Sequence, residues 1–81
     1  MSKLQEARKE KGLSQGQLAE SAGLKVRMLQ QYEQGKQADI NGAKLSTLLK
    51  ICIALESPLE AILDDPETLS LLEHYREIVI K

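Results

Sequence analysis

Apolar residues recur every three or four positions along most of this chain, and no useful stretch alternates apolar and polar residues as a half-buried strand does. The pattern predicts a compact all-α bundle of five or six short helices. At 81 residues the chain is near the lower size limit for a domain that folds on its own hydrophobic core. It contains no repeat longer than a helix, no low-complexity tract and no linker.

Three short helices separated by glycines are predicted in the first half of the chain. The first ends at Gly12, and the second begins at Ser14, a good N-cap residue, and ends at Gly23. The third runs from about residue 25 to residue 34 and ends at Gly35. The inner faces are predicted to comprise Leu4, Ala7 and Lys11 in the first helix, Leu18, Ala19 and Ala22 in the second, and Met28, Leu29 and Tyr32 in the third.

The second half begins with a polar segment and continues with three further helices. The stretch "KQADINGAK" (36–44) has no periodicity and predicts a surface loop. The stretch "KLSTLLKICIALE" (44–56) is the most apolar helix and the expected hub of the core. Ser57 is expected to cap a short fifth helix, "PLEAILDD" (58–65), with Pro58 at its first position. Pro66 then opens a sixth helix over residues 66–81.

The abrupt stop between the second and third helices is the most informative feature of the pattern. Ala19 is small enough to allow a close crossing of two helices, and Gly23, four residues later, tolerates the positive φ of a tight turn. Leu29 and Tyr32 then return apolar side chains to the core. Two helices joined by such a short turn containing glycine form a helix-turn-helix, which we expect at about residues 14–34.

Charge is distributed unevenly along the chain, although the net charge is only −1. Residues 1–50 contain nine Lys or Arg and five Asp or Glu, a net charge of +4, whereas residues 51–81 contain two and seven, a net charge of −5. A basic front and an acidic back indicate that a polyanion meets only one face of the protein. The alternative is the ordinary variation of surface charge in a helical protein.

The composition excludes several kinds of protein. With no Phe, no Trp and two Tyr, the chain lacks the rings of a stacking platform for single-stranded nucleic acid. The single cysteine, Cys52, cannot form an internal disulfide, and its apolar neighbours predict a buried residue rather than a reactive thiol. The chain has no signal-peptide core and no apolar run that could span a membrane, so we expect a soluble cytoplasmic protein.

The segments "ARKEKGLSQGQLAESAGLKVRMLQQYEQGK", "LSTLLKICIAL" and "LEAIL" resemble the Cro/cI-type helix-turn-helix family, also called the XRE family, over roughly residues 3–63. The diagnostic pieces are Arg8 with the "KGLSQ" lead-in, Leu18-Ala19, Gly23 and "YEQG". The resemblance implies a five-helix, lambda-repressor-like DNA-binding domain over residues 1–63, with an additional C-terminal helix over residues 64–81. It also implies a transcriptional regulator that binds operators as a dimer.

The sequence departs from the family pattern in two places. Lys25 stands where the family commonly has a capping Ser or Thr, and the loop after Gly35 is longer than the usual connection. Neither departure removes a DNA-reading position.

The resemblance places the third helix in the major groove, with its first turn toward the base edges. Arg27 can donate two hydrogen bonds to guanine O6 and N7, Gln31 can bond adenine in two places, and Val26 can pack against a thymine methyl group. The alternative is an ordinary solvated helix face. The candidate base-reading residues are Lys25, Val26, Arg27, Gln30 and Gln31.

The N-terminus of the second helix is expected to point at a DNA phosphate, because its exposed N–H groups and the positive end of its dipole favour an anion. The resemblance gives Gln15 the further role of supporting the third helix. Phosphate contacts fix the register of the protein on DNA but read no sequence. The candidate phosphate-contacting residues are Ser14, Gln15, Gln17, Lys36, Gln37 and Lys44, and the alternative for the last three is a solvated loop.

The remaining titratable residues do not form a catalytic or metal-binding pattern. The resemblance makes Arg8 and Glu33 a structural ion pair between the first and third helices. His74 is the only histidine, and no Cys lies near it in the sequence, so we expect no metal site. The carboxylates at Asp64, Asp65 and Glu67 flank Pro66, where acidic residues cap a helix. We expect no enzyme activity and no cofactor.

The last helix carries more apolar residues than one packing stripe requires. Either it packs on the core of its own subunit, or it forms a two-fold dimer in which each apolar face covers the other. We favour the dimer, because two recognition helices one DNA turn apart, about 34 Å, can read a palindrome. The candidate dimerisation residues are Leu69, Leu72, Tyr75, Ile78 and Val79.

The sequence thus predicts a regulator that binds double-stranded DNA sequence-specifically, with repression at a palindromic operator as the expected action. A second hypothesis is a protein-binding module that has kept the fold. An antitoxin would combine the two, because it would bind a toxin through the acidic C-terminal third and repress its own operon.

Overall fold

The computed structural model describes residues 2–34 and 40–80 and contains five α-helices and two short 3₁₀ turns within those ranges. The predicted all-α, lambda-repressor-like fold class is confirmed. The elements, in chain order, are α1 (Lys3–Glu10), α2 (Gln15–Ala22), α3 (Val26–Gln34), a first 3₁₀ turn (Ile40–Gly42), α4 (Leu45–Leu55), a second 3₁₀ turn (Leu59–Ala61) and α5 (Pro66–Ile80).

Side-chain caps define where the first two helices begin. The Ser2 hydroxyl accepts a hydrogen bond from the Gln5 N–H at the start of α1. At the start of α2, the Ser14 hydroxyl accepts from the Gln17 N–H at 3.1 Å, while the Gln17 side-chain oxygen accepts from the Ser14 N–H at 2.8 Å. This reciprocal capping box satisfies two backbone donors that would otherwise lack partners.

The core collects one or two fully buried aliphatic side chains from each of the first four helices. Around them lie smaller buried residues, including Ala19 and Ala22 of α2 and Cys52 of α4. Burial of this kind is the main source of stability in so small a domain. The largest fully buried side chains are Leu4, Leu18, Leu29, Ile51, Leu55 and Ile62.

Two residues predicted on inner faces are instead exposed. Met28 is 36% exposed. Leu29 and Glu33 define the buried side of α3, and Met28 lies about 100° around the helix from Leu29, because successive residues are rotated by that angle. Lys11 lies beyond the end of α1, where its ammonium group reaches the Glu56 carboxylate. The apolar periodicity therefore located these helices but misassigned residues at the edges of their buried faces.

The predicted fifth helix over residues 58–65 is a single 3₁₀ turn, Leu59–Ala61. Pro58 is extended, with ψ 165°, and Pro66 disfavours helical backbone at the residue before it, so too few residues remain for an α-helix. The Ser57 hydroxyl donates to the Leu55 carbonyl oxygen instead of capping this turn.

Part of the predicted loop over residues 36–44 is also structured. Ile40 opens the first 3₁₀ turn and is buried against the core, which a surface loop would not provide. Residues 36–39 lie outside the described ranges.

The last helix, α5, contains no buried residue. Its half-buried Leu69 packs against the core, and its Arg76 forms an ion pair with Glu60 of the second 3₁₀ turn. Asp65 caps its N-terminus, since one carboxylate oxygen accepts hydrogen bonds from both the N–H and the hydroxyl of Thr68. Over the ranges that the structure describes, no helix is both long and apolar enough to cross a membrane.

Candidate nucleic-acid interface

The turn between α2 and α3 begins at Gly23, whose φ of 69° is left-handed. This conformation lets the Gly23 N–H bond the Ala19 and Glu20 carbonyls, and the Leu24 N–H bond the Ala19 carbonyl at 2.8 Å. Glycine adopts positive φ without the steric cost that a Cβ atom imposes. The chain can therefore leave α2 and enter α3 within three residues, as a helix-turn-helix requires.

Helix α3 has one buried side and one broad exposed side. Leu29 is fully buried and Glu33 is 8% exposed, so this side faces the body of the protein. The opposite side bears long polar side chains, and the partly exposed apolar side chains of Val26 and Met28 lie at its two edges. All five candidate base-reading residues are exposed: Lys25, which immediately precedes α3, and Val26, Arg27, Gln30 and Gln31 within it.

A hydrogen-bonded network fixes the position of α3 relative to the first two helices. The Arg8 guanidinium donates to both carboxylate oxygens of Glu33, at 2.7 and 3.1 Å, and to the Leu13 carbonyl oxygen at 2.8 Å. Both charged side chains are almost completely buried. This bidentate ion pair connects α1 to the C-terminal half of α3.

Gln15 extends the same network to the exposed side of α3. Its amide nitrogen donates to Glu33 at 3.1 Å, and its amide oxygen accepts from the Gln30 amide at 3.4 Å. The Gln15 side chain is therefore oriented at both ends. One candidate phosphate-contacting residue and one candidate base-reading residue are thereby connected to the buried ion pair.

The N-terminus of α2 carries the other candidate phosphate contacts. The capping box uses the Gln17 N–H, and the Leu18 N–H bonds the Ser14 carbonyl, so the first free donors of the helix are the N–H groups of Gln15 and Gly16. The Gln17 amide contributes only its oxygen to the cap, and its NH₂ group retains donor capacity. Donors grouped at a helix N-terminus suit an anion.

Of the three candidate phosphate-contacting residues after α3, the structure describes only one. Lys44 is exposed at the N-terminus of α4. Lys36 and Gln37 lie outside the described residues.

The candidate dimerisation residues fall into two groups on α5. Leu69 and Leu72 are half-buried on the side toward the rest of the subunit, whereas Tyr75, Ile78 and Val79 are 58–65% exposed. A shallow groove lies beside Tyr75, and none of the described residues that line it is charged. Its lining comprises Leu45, Leu48, Leu59, Leu63, Thr68, Leu71, Leu72 and Tyr75.

The outer side of α4, a helix predicted to be the hub of the core, continues this apolar surface. Leu45, Leu49 and Ile53, spaced four residues apart, are 62, 43 and 75% exposed. The signal was available in the sequence, because α4 is apolar on nearly all sides and such a helix needs a second partner. We call Leu45, Leu49, Ile53, Leu71, Tyr75, Ile78 and Val79 the α4–α5 surface.

Two further observations concern reactive and metal-binding side chains. Burial raises the pKa of the Cys52 thiol, which disfavours the reactive thiolate. Within residues 2–34 and 40–80, no group of three or more His, Cys, Asp or Glu side chains could hold a metal ion.

Comparison with models of protein families matches residues 4–62 to a helix-turn-helix family. No curated protein and no solved structure matches the chain significantly. The matched segment runs from Leu4, the second residue of α1, to just beyond the second 3₁₀ turn, and it includes the turn at Gly23 and the buried Arg8–Glu33 pair. The chain therefore belongs to the Cro/cI-type helix-turn-helix family of DNA-binding regulators.

Proposed function

We propose that this protein represses transcription by binding a palindromic operator as a homodimer, with α3 of each subunit in the major groove. The observation that carries the proposal is the exposed side of α3. It presents Arg27 and Gln31 on a helix whose opposite side is anchored by Leu29 and by the Arg8–Glu33 pair. A rigidly held helix with such side chains suits base recognition, because the geometry of a bidentate contact tolerates little displacement.

Each candidate base-reading residue has a chemical role in this proposal. Arg27 donates to guanine O6 and N7, and Gln31 bonds adenine N6 and N7; each such pair discriminates against the wrong base by about 1–3 kcal/mol. Gln30 retains its amide oxygen and one N–H after it donates to Gln15, so it can bond a second base edge. Lys25 donates to an acceptor at the groove edge, and Val26 contacts a thymine methyl group.

Phosphate contacts from α2 fix the helix in the groove. A phosphate beside the N–H groups of Gln15 and Gly16 would also meet the Gln17 amide and the Ser14 hydroxyl, which retain donor hydrogens beside the capping box. Lys44, Lys36 and Gln37 would hold the backbone farther along. Because Gln15 also bonds Glu33 and Gln30, the same residue would couple backbone position to base reading.

Dimerisation through the α4–α5 surface would complete the operator-binding unit. The surface is apolar and its groove carries no charge, so two copies related by a two-fold axis would not bring like charges together there. The described part of one subunit measures 37 × 24 × 21 Å, a size compatible with recognition helices one DNA turn, about 34 Å, apart. A bound dimer would repress by occupying the operator.

A second candidate function is that of a protein-binding module such as an antitoxin. It is favoured by a groove beside the side of α5 that carries Leu69, Arg76 and Ile80. A groove of about 640 Å³ runs between α5 and the second 3₁₀ turn, with Leu69, Leu72 and Ile80 among its lining residues. Its charged lining residues are three carboxylates and one guanidinium, namely Glu60, Glu73, Glu77 and Arg76. An acidic apolar groove suits a basic segment of another protein rather than DNA.

Selection from a random pool of duplex DNA tests the main proposal. The protein is incubated with the pool, and the bound DNA is recovered and sequenced. We expect a palindrome whose half-sites are about one turn apart. Recovery of no motif at low salt would contradict base reading and leave the protein-binding function.

Arg27→Ala is expected to relax the preference at one base position of that motif and to weaken binding by roughly 5- to 150-fold. Fluorescence anisotropy with labelled operator measures the loss. The control is Lys50→Ala, which removes an exposed cation from α4 and should leave the preferred sequence unchanged. An unchanged motif in Arg27→Ala would remove this residue from the base-reading set.

Salt dependence separates the two candidate functions. The logarithm of the affinity for DNA should fall with the logarithm of the salt concentration by about 0.9 for each phosphate neutralised. The affinity of a protein complex formed through the apolar surface of α5 should depend much less on the salt concentration.

A further inference from the structure

The edge of the exposed side of α3 contains an apolar residue that the base-reading set omits. Of the ten large apolar side chains exposed in residues 2–34 and 40–80, eight lie on α4 and α5 and two on α3. The two on α3 are Val26 and Met28, which are 40 and 36% exposed. The α4–α5 surface does not account for this pair, because it lies on the helix proposed to read DNA.

Helix geometry places Met28 beside the proposed guanine reader. Successive residues of an α-helix are rotated by about 100°, so Val26 and Met28 lie on opposite sides of Arg27. Val26 shares its side with Gln30, which is hydrogen-bonded to Gln15 of α2. Met28 therefore flanks Arg27 on the side away from that contact, in the first turn of α3.

The chemistry of the side chain limits what it can recognise. A thioether is a weak acceptor and has no donor, so Met28 cannot read the polar groups of a base edge as Arg27 and Gln31 can. The major groove presents one apolar group, the C5 methyl of thymine. An unbranched, flexible methionine can adapt its shape to such a methyl group.

We propose that Met28 is a specificity-determining residue that selects a thymine methyl group close to the guanine contacted by Arg27. The inference rests on the proposed function and deepens it. The preferred half-site contains a guanine flanked by at least one thymine whose methyl group Met28 covers. Val26 covers a different methyl group, because it lies on the other side of Arg27.

Replacing thymine by deoxyuridine tests this role directly. Deoxyuridine keeps every hydrogen-bonding group of thymine and lacks only the C5 methyl. In the operator obtained by selection, each thymine is replaced in turn, and affinity is measured by fluorescence anisotropy. The wild-type protein is expected to bind about fourfold more weakly when the methyl group covered by Met28 is absent, because the complex then buries one methyl group fewer.

Variants at position 28 assign the methyl group to this side chain. Met28→Ala should bind the thymine and deoxyuridine operators equally at that position, whereas Met28→Leu should retain the discrimination because it keeps an apolar side chain of similar size. Val26→Ala serves as the matched control and should lose discrimination at a different thymine. Circular dichroism melts report folding, which an exposed position should leave unchanged.

The outcomes distinguish this inference from the function on which it rests. If selection yields no motif, both are wrong. If a motif is obtained but no thymine replacement affects Met28→Ala and the wild-type protein differently, only the role of Met28 is wrong. Discrimination that persists in Met28→Ala and disappears in Val26→Ala at the same thymine would likewise contradict it.

Discussion

At the scale of single residues, Arg8 and Glu33 illustrate how a pair of charges can be a structural requirement of a DNA-binding surface. Their side chains are 9 and 3% exposed, and Gln15 and the Leu13 carbonyl complete their hydrogen bonds. Removal of one partner would leave the other charge buried without compensation, which costs about 3–5 kcal/mol in other proteins. We expect Glu33→Ala to lower the free energy of unfolding by about 3 kcal/mol, measured by urea denaturation.

The Lys11–Glu56 pair provides a matched control with the same N–O distance, 2.7 Å, in exposed surroundings. Glu56→Ala should change the free energy of unfolding little, because water screens exposed pairs. If Glu33→Ala does not fold, the double variant Arg8→Met with Glu33→Leu should recover stability, since it removes both charges and keeps the volume. Equal effects of Glu33→Ala and Glu56→Ala would show that burial does not determine the importance of the pair.

At the scale of elements, the start of α5 depends on one carboxylate. The hydrogen bonds from the Thr68 hydroxyl and N–H hold the pKa of Asp65 below its ordinary value. A depressed folded-state pKa contributes stability that is complete above the unfolded pKa of about 3.9 and is lost as the pH falls through the folded value. Protonation of Asp65 should therefore weaken α5 below about pH 4.

Asp65→Asn tests this cap, because asparagine caps helices well and does not titrate. Thermal melts followed by circular dichroism at several pH values between 3 and 7 should show a smaller loss of stability in acid for the variant than for the wild type. Some acid sensitivity should remain, since hydrogen bonding to Lys11 also lowers the pKa of Glu56. An unchanged acid response would mean that the Asp65 cap contributes nothing to it.

At the scale of the whole molecule, the exposed α4–α5 surface leads to a prediction about assembly. Tyr75→Lys and Leu45→Lys place a charge on α5 and α4 respectively, at positions that are both 62% exposed in the subunit. Each should weaken the dimer at least tenfold without unfolding the subunit, because a large apolar side chain contributes about 1.5–3 kcal/mol when buried. Sedimentation velocity over a concentration series measures the change.

Ile80→Lys is the control for dimerisation, since Ile80 is 81% exposed and lines the acidic groove on the other side of α5. It should leave the dimer intact. A wild-type protein that stays monomeric with and without operator would contradict the dimer proposal, as would dissociation by Ile80→Lys alone.

The sequence by itself determined features that depend on neighbours within four or five residues. Ser14 marks the N-cap of α2, and Gly23 supplies the left-handed residue that ends this helix. These local signals located the helix-turn-helix, and the resemblance anticipated that Arg8 and Glu33 would meet. The resemblance, together with the polar residues of "VRMLQQ", nominates Arg27 and Gln31 as base-reading residues, and this stays a prediction.

Tertiary structure decided which edge of each helix is covered, because burial depends on elements distant in the sequence. Because Leu29 and Glu33 pack toward α1 and α2, Met28 is partly exposed. Leu45 and Ile53 are exposed on α4, although this helix was expected to be the hub of the core. Periodicity shows that a helix has an apolar side, but only the packed structure shows how much of that side other elements cover.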